Sequence, residues 1–153
     1  MPSPLPVSDL TAHLGFWLRT VSNHVSHAFA SRLAVMGVTV AEWVMLRALY
    51  GKDPIPPSRV ADEMGMTRGA ITKLADRLID KSLIVRKADS DDGRAQTLAL
   101  TPRGSSLVPK LAALADQNDA EFFGALSRAE RDTLEGLLKR LVEHGGMAAL
   151  PID

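Results

Sequence analysis

Cysteine is absent from this chain of 153 residues, which excludes a disulfide scaffold, an iron–sulfur cluster and any thiol-based redox switch. Long apolar runs are absent too, and no stretch approaches the roughly 18 residues that a membrane crossing needs. The opening MPSPLPVSDL has neither a basic n-region nor a long apolar h-region, so no secretory signal is expected, and the expected location is cytoplasmic. Neither sign of charge is in excess, with 18 basic and 18 acidic side chains. Taken whole, that balance argues against a polyanionic partner. A glycine-rich phosphate loop, a nucleophile elbow and a zinc-protease motif are all missing. The serines of RGSS, at 105 and 106, stand without a base at a recognisable spacing. No enzyme and no cofactor are expected.

What is present is the composition of an ordinary globular protein, 46% hydrophobic and 24% charged, long enough for one good core but short for two domains. The charge is also unevenly spread. Residues 59–103 carry nine basic and seven acidic side chains, and residues 104–153 carry five and eight. The middle is therefore mildly basic and the C-terminal third acidic.

Alternating Pro2, Pro4 and Pro6 predict an extended arm. From about Ser8, apolar residues recur at three- and four-residue steps through Leu10, Leu14, Trp17, Leu18, Val21, Val25 and Phe29 to Leu33, predicting a long helix that ends near Gly37. Thr39 and Glu42 have capping-box spacing and open a second helix through Trp43, Leu46 and Leu49. GKDPIPP interrupts the chain. A short helix follows with Pro57 at its first position and Val60, Ala61 and Met64 inward. After a tight turn at GMT, Thr67 caps a helix with Ile71, Leu74, Ala75, Leu78 and Ile79 in one stripe. LIVRKA and QTLALT then read as the strands of a hairpin. Thr101-Pro102 restarts a long helix to about Ala125, with Pro109 marking a kink or a late start, and the capping box of SRAE opens a last helix to Gly145. The chain is thus mainly α with a small β hairpin, in the order of a winged helix-turn-helix.

In that arrangement one helix braces a second, whose N-terminal residues approach base edges in the major groove. Ala61 suits the helix crossing and Gly65 the turn. With the apolar stripe of TRGAITKLADRLIDKSL turned inward, Thr67, Arg68, Gly69, Thr72, Lys73, Asp76 and Arg77 are left outside. Arg68 is placed for a guanine edge or a phosphate, and Lys73 and Arg77 for phosphates. Ordinary solvated charges on a surface helix are the alternative, and the hairpin that follows favours the first reading.

The stretch GMTRGAITKLADRLIDKSLIVRKADSDDGRAQTLALTPRG resembles the DNA-binding core of MarR-type transcriptional regulators, and the likeness extends upstream through GVTVAEWVMLRAL. The matching wing positions are Asp92, Arg94, Leu98, Leu100, Thr101 and Gly104. One departure is Ser82, where the family usually has glycine. The resemblance implies a single domain over 1–153, in which helices at 8–36 and 102–146 form a homodimer interface and a lobe at 39–101 binds a pseudo-palindromic duplex operator. It implies a repressor that releases DNA when a small aromatic or phenolic molecule binds. The DNA-binding residues are then Thr67, Arg68, Gly69, Thr72, Lys73, Arg77, Asp92 and Arg94. Independently, the apolar stripes at Leu10, Leu14 and Trp17 and at Leu134, Leu137, Leu138 and Leu141 call for a partner. The rival class is a winged-helix module, sensing a ligand or a protein, that no longer binds DNA.

For a planar acid, His13, Trp17, Thr20, His24 and His27 share one stripe of the first helix, and Trp43 and Arg47 could supply a flat wall and an anion anchor. Histidines beside a core stripe are more often exposed helix residues or dimer contacts. A metal on His24 and His27 lacks a third ligand. DSDDG places Asp89 and Asp91 at the first and third positions of a calcium loop, but Arg94 would replace its glycine and Leu100 its bidentate glutamate, so no metal is expected. In a wing, Asp92 can instead hold Arg94 by charge-assisted hydrogen bonds, aiming the guanidinium.

Overall fold

The computed structural model describes residues 1–89, 91, 93 and 95–146. Helices α1 (Leu14–Val35), α2 (Val40–Leu49), α3 (Pro57–Met64) and α4 (Arg68–Asp80) lead to strands β1 (Ile84–Ala88) and β2 (Gln96–Leu100), then to α5 (Pro102–Phe122) and α6 (Arg128–Gly145). Four starts are fixed by side-chain caps. Thr39, Thr67, Thr101 and Ser127 accept from the N–H of Glu42, Ala70, Gly104 and Glu130 at 3.0–3.2 Å. Glu42 and Glu130 return the bond and complete two capping boxes. Pro57 begins α3, where a missing N–H costs nothing.

Three boundaries differ from expectation. The first helix starts at Leu14, not Ser8, after a single 3-10 turn at Leu10–Ala12 and an extended His13 that supplies no side-chain cap. The Trp17 indole N–H donates to the Thr11 carbonyl at 2.9 Å, occupying an acceptor that a continuous helix would have used. Pro109 lies within an unbroken α5, on an exposed position. That helix ends at Phe122, three residues short of Ala125. The proline-rich break after α2 also carries structure: Ile55 exchanges both backbone hydrogen bonds with Leu98, at 3.1 and 2.8 Å, and adds a one-residue third strand beside β2.

One core gathers Leu33 from α1, Met45 and Leu46 from α2, Val60 and Met64 from α3, Ile71 and Leu78 from α4, Ile84 and Leu98 from the sheet, and Val108 and Leu111 from α5. Each fully buried aliphatic side chain contributes about 1.5–3 kcal/mol. Helix α6 buries nothing. Along the α1–α5 contact, buried Asn118 donates to the Val25 carbonyl at 3.3 Å and Arg32 pairs with Glu121.

The passage from α4 to β1 closes by two bonds, Ser82 N–H to the Ile79 carbonyl at 2.9 Å and Leu83 N–H to that of Leu78 at 3.0 Å. This closure needs a left-handed residue, and Ser82 adopts φ 60° where glycine is the unstrained choice. Thr101 then donates from its hydroxyl to the Ser82 carbonyl and from its N–H to the Leu83 carbonyl, at 2.7 and 3.0 Å. The latter oxygen sits where a Cβ on Gly104 would be, 2.1 Å away. The base of the hairpin is therefore clamped onto the start of α5.

Glu42 is fully buried. Its Oε1 accepts from the Thr39 N–H and from Lys81 Nζ, at 2.9 and 3.0 Å, with Arg77 at 3.3 Å. Its Oε2 lies 2.8 Å from Lys81 Nζ but takes no well-directed hydrogen bond. Burial pushes the carboxyl pKa up, but the Lys81 and Thr39 hydrogen bonds with the Lys81 charge outweigh it and hold the group below its ordinary value.

Gly104→Ala should therefore destabilise the fold by about 3 kcal/mol through a forced backbone shift, whereas Ser82→Gly should stabilise it by about 0.5–1 kcal/mol. Urea unfolding of both variants checks this pair. Because the folded pKa of Glu42 lies below the unfolded one, its contribution is complete above the unfolded value and is lost as pH falls through the folded value. The urea midpoint should drop between about pH 5 and pH 3, and Glu42→Gln should make that drop smaller.

Candidate nucleic-acid interface

Helices α3 and α4 form the helix-turn-helix. Val60, Ala61 and Met64 are buried under α4, and Gly65 turns the chain in the left-handed region at φ 64°. Its N–H returns to the Asp62 carbonyl at 3.3 Å and that of Met66 to Ala61 at 3.0 Å, satisfying the end of α3 within the turn. Ile71, Leu74, Ala75 and Leu78 anchor α4 to the core. The opposite face exposes Thr67, Arg68, Gly69, Thr72, Lys73, Asp76 and Arg77, as expected from the stripe, and Asp80 besides.

These residues are not equivalent. Thr67 spends its acceptor on the cap, and the Thr72 hydroxyl donates to the Arg68 carbonyl at 2.9 Å. Arg68 and Lys73 stand on the exposed face with no ion pair among the described residues. A Cβ at Gly69 would meet open space, so packing does not demand the glycine, and the backbone there is open to close approach. Arg77 is turned toward Glu42, while its side chain remains half exposed. Lys81 is committed further inward, to Glu42 and, at 2.7 Å, to the Gly37 carbonyl at the end of α1.

The wing strands pair antiparallel, with Ile84 opposite Leu100 and Ala88 opposite Gln96. An ion pair from Arg86 on β1 to Asp76 on α4 ties the wing to that helix. Past β1, Asp89 Oδ1 accepts from the Asp91 N–H at 2.9 Å and the Asp89 N–H reaches the Ala95 carbonyl at 2.9 Å, which makes Asp89 a turn-former. Asp92 and Arg94 lie outside the described residues. Periodicity did not reveal Glu42, Lys81 and Arg86 as parts of the site. The Thr39–Glu42 spacing marked a cap, and nothing in it distinguished a cap from a counter-ion.

The residues expected to meet a planar acid are scattered in role. His13 precedes α1, and His24 and His27 are exposed on it. Trp17 is half exposed and edge-on to Phe16. Trp43 packs edge-on against Phe29 at the margin of the core, and exposed Arg47 lies 5.9 Å from the Tyr50 ring. Two grooves stand out among the described residues. One, of about 1020 Å³, runs between α5 and α6 and includes Phe123, Leu126, Leu134, Leu138 and Val142. The other, of about 620 Å³, lies between the ends of α1 and α4 and the start of α5. None of His13, Trp17, His24, Trp43 and Arg47 lines either one. No cluster of metal-ligating side chains occurs among the described residues.

This architecture is that of proteins already described. The MarR family model matches residues 36–95, from the end of α1 through the wing. A protein assigned to transcriptional regulation of the hcr operon in Thauera aromatica is 34% identical over 134 residues, which cover 87% of this chain and 81% of that one. A transcriptional regulator from Pseudomonas aeruginosa superposes with a TM-score of 0.75 at 32% identity, over 87% of this chain and 99% of the other. A mutant MarR from E. coli, solved in complex with operator DNA, superposes with a TM-score of 0.76 at 25% identity, over 88% and 99%. Matched over nearly all of its length by such relatives, the chain belongs to the MarR family of winged helix-turn-helix transcriptional regulators.

Proposed function

We propose that this regulator acts in the cytoplasm as a homodimer that binds a pseudo-palindromic duplex operator through α4 and the wing, and represses transcription until a small aromatic or phenolic ligand binds. The observation that carries the DNA reading is the N-terminal half of α4. It is a capped, core-anchored helix whose outer face offers two cations without partners among the described residues, Arg68 and Lys73, beside an unhindered Gly69. Arg68 is assigned to a base edge or a phosphate and Lys73 to a phosphate, with Thr67, Gly69 and Thr72 at the docking surface. Asp92 and Arg94 complete the assignment at the wing on sequence grounds. Arg77 belongs to the rear phosphates only where it parts from Glu42. The operator complex of the E. coli relative supports a DNA role for the same fold.

The homodimer is supported by apolar surface that the chain leaves bare. Leu14 is 87% exposed, Trp17 and Leu18 52%, Leu137 53% and Leu141 56%, at the start of α1 and along α6, beside the groove between α5 and α6. Stripes this apolar on two long helices suit a two-fold partner, which would space two α4 helices about one turn of duplex apart. The ligand is assigned on sequence grounds alone to His13, Trp17, His24, Trp43 and Arg47, which line neither groove among the described residues, with Arg47 as the exposed cation for a carboxylate or phenolate.

Three outcomes are expected. In anisotropy titrations with DNA flanking the protein's own coding region, Arg68→Ala should cost about 1–3 kcal/mol and relax preference at one position per half-site. Arg94→Ala should weaken all sequences alike and flatten the salt dependence. A protein that binds no duplex at low salt would instead be a sensing or interaction module with a winged fold. Sedimentation of Leu137→Asp/Leu141→Asp should show a monomer whose helical content persists, because α6 buries nothing in the lobe core.

A further inference from the structure

Glu42 is the one carboxylate among the described residues that is fully buried, and neither the helix cap nor the base contacts require it to be charged. A glutamine at that position would also serve a capping box. The charge must therefore be explained by what it faces. From α4 and its cap it meets Arg77 at 3.3 Å and Lys81 at 2.8 Å. From its own helix start it meets the Thr39 N–H. From the end of α1, the Gly37 carbonyl shares the Lys81 ammonium.

The stretch Arg68–Lys81 carries four cations, and the two rear ones both answer to this single carboxylate. The front pair, Arg68 and Lys73, do not. At 1.5 Å per residue, Arg77 stands about 13 Å along the axis from Arg68. We infer that Glu42 is a specificity-setting residue: an internal counter-anion that silences the rear of α4, so that the helix presents unneutralised positive charge only at its reading end. This rests on the DNA-binding reading given above.

The physical reason is orientation. Phosphate attraction carries no sequence information, so a free cation at the rear would stabilise any pose of the helix along a duplex. With the rear neutralised, only a pose that brings the N-terminal end to the groove gains the full attraction. The two rear contacts differ in exchangeability. Lys81 has the buried oxygens and a backbone carbonyl, whereas Arg77 is 53% exposed and touches one oxygen. Arg77 is therefore the charge that a phosphate could draw away, and Glu42 sets how readily it leaves.

The experiment is a salt series of anisotropy titrations on the full-length protein, with a random-sequence duplex and the duplex flanking its own coding region. Glu42→Gln should tighten binding to the random duplex several-fold at low salt and narrow the preference for the native duplex. The slope of log affinity on log salt should steepen by about 0.9 per released arginine, which makes the loss between about 50 and 200 mM salt some three- to four-fold larger per protomer. In an Arg77→Gln background the same change should do nothing to the slope. A residue that only supports the fold would lower the melting temperature and leave slope and preference alone, and that result overturns the inference. Should Glu42→Gln fail to fold, two single variants decide. Arg77→Gln should lower the wild-type slope by clearly less than Lys73→Gln does, and equal losses overturn the proposal. A wild type that binds neither duplex removes the DNA reading and this inference together. A wild type that binds, with unaltered slopes in the variant, removes this inference alone.

Discussion

The structure turns on one buried charge. A carboxylate withdrawn from water must find partners at close range, because leaving it unpaired costs far more than an ordinary hydrogen bond contributes. Glu42 finds them in three separate segments: the start of its own helix, the last turn of α4 and, through the Lys81 ammonium, the Gly37 carbonyl that ends α1. None of these can shift far without stranding it. The exposed pairs, such as Lys52–Glu63 and Lys139–Glu135, impose nothing comparable, since water and salt replace either partner at little cost. The orientation of α4 is thus set from its C-terminal end.

A second constraint acts on the other side of the lobe. The clamp of Thr101 and Gly104 on Ser82 and Leu83 joins the hairpin base to α5 through one threonine hydroxyl, one backbone hydrogen bond and a close backbone approach. Helix α5 in turn reaches α1 through Asn118 and the Arg32–Glu121 pair. The wing, the reading helix and the long helices of the proposed interface are therefore connected by short backbone contacts and ion pairs.

Much of this was legible in the sequence, for identifiable reasons. Threonine or serine caps at 39, 67, 101 and 127, and prolines at 57 and 102, act through the next three residues, so their outcome can be read locally. Apolar spacing likewise gave the buried face of α4. What escaped depended on contacts between distant segments. The pairing of Glu42 with Lys81 spans 39 residues, and the bridge from Ile55 to Leu98 spans 43. No periodicity carries such information. The break at His13 was missed for another reason: the apolar spacing continues across it, while a bond from Trp17 to Thr11 favours the interruption. Of the candidate site, the composition of the outer face of α4 was plain. The division of its cations into free and committed ones was not, because commitment is a matter of a few ångströms.

The Ile55 bridge has a consequence for the protein's behaviour in a crowded solution. A two-stranded hairpin has two raw edges, each a template for another chain. Here the outer edge of β2 is met by a single residue with Pro54 and Pro56 on either side. Proline has no N–H to offer a further strand, so the cover ends the sheet without creating a new edge. The remaining edge, on β1, carries Arg86 and Lys87, whose charges discourage pairing with a second copy of themselves. The wing is thereby kept from pairing edge to edge with a second copy of itself.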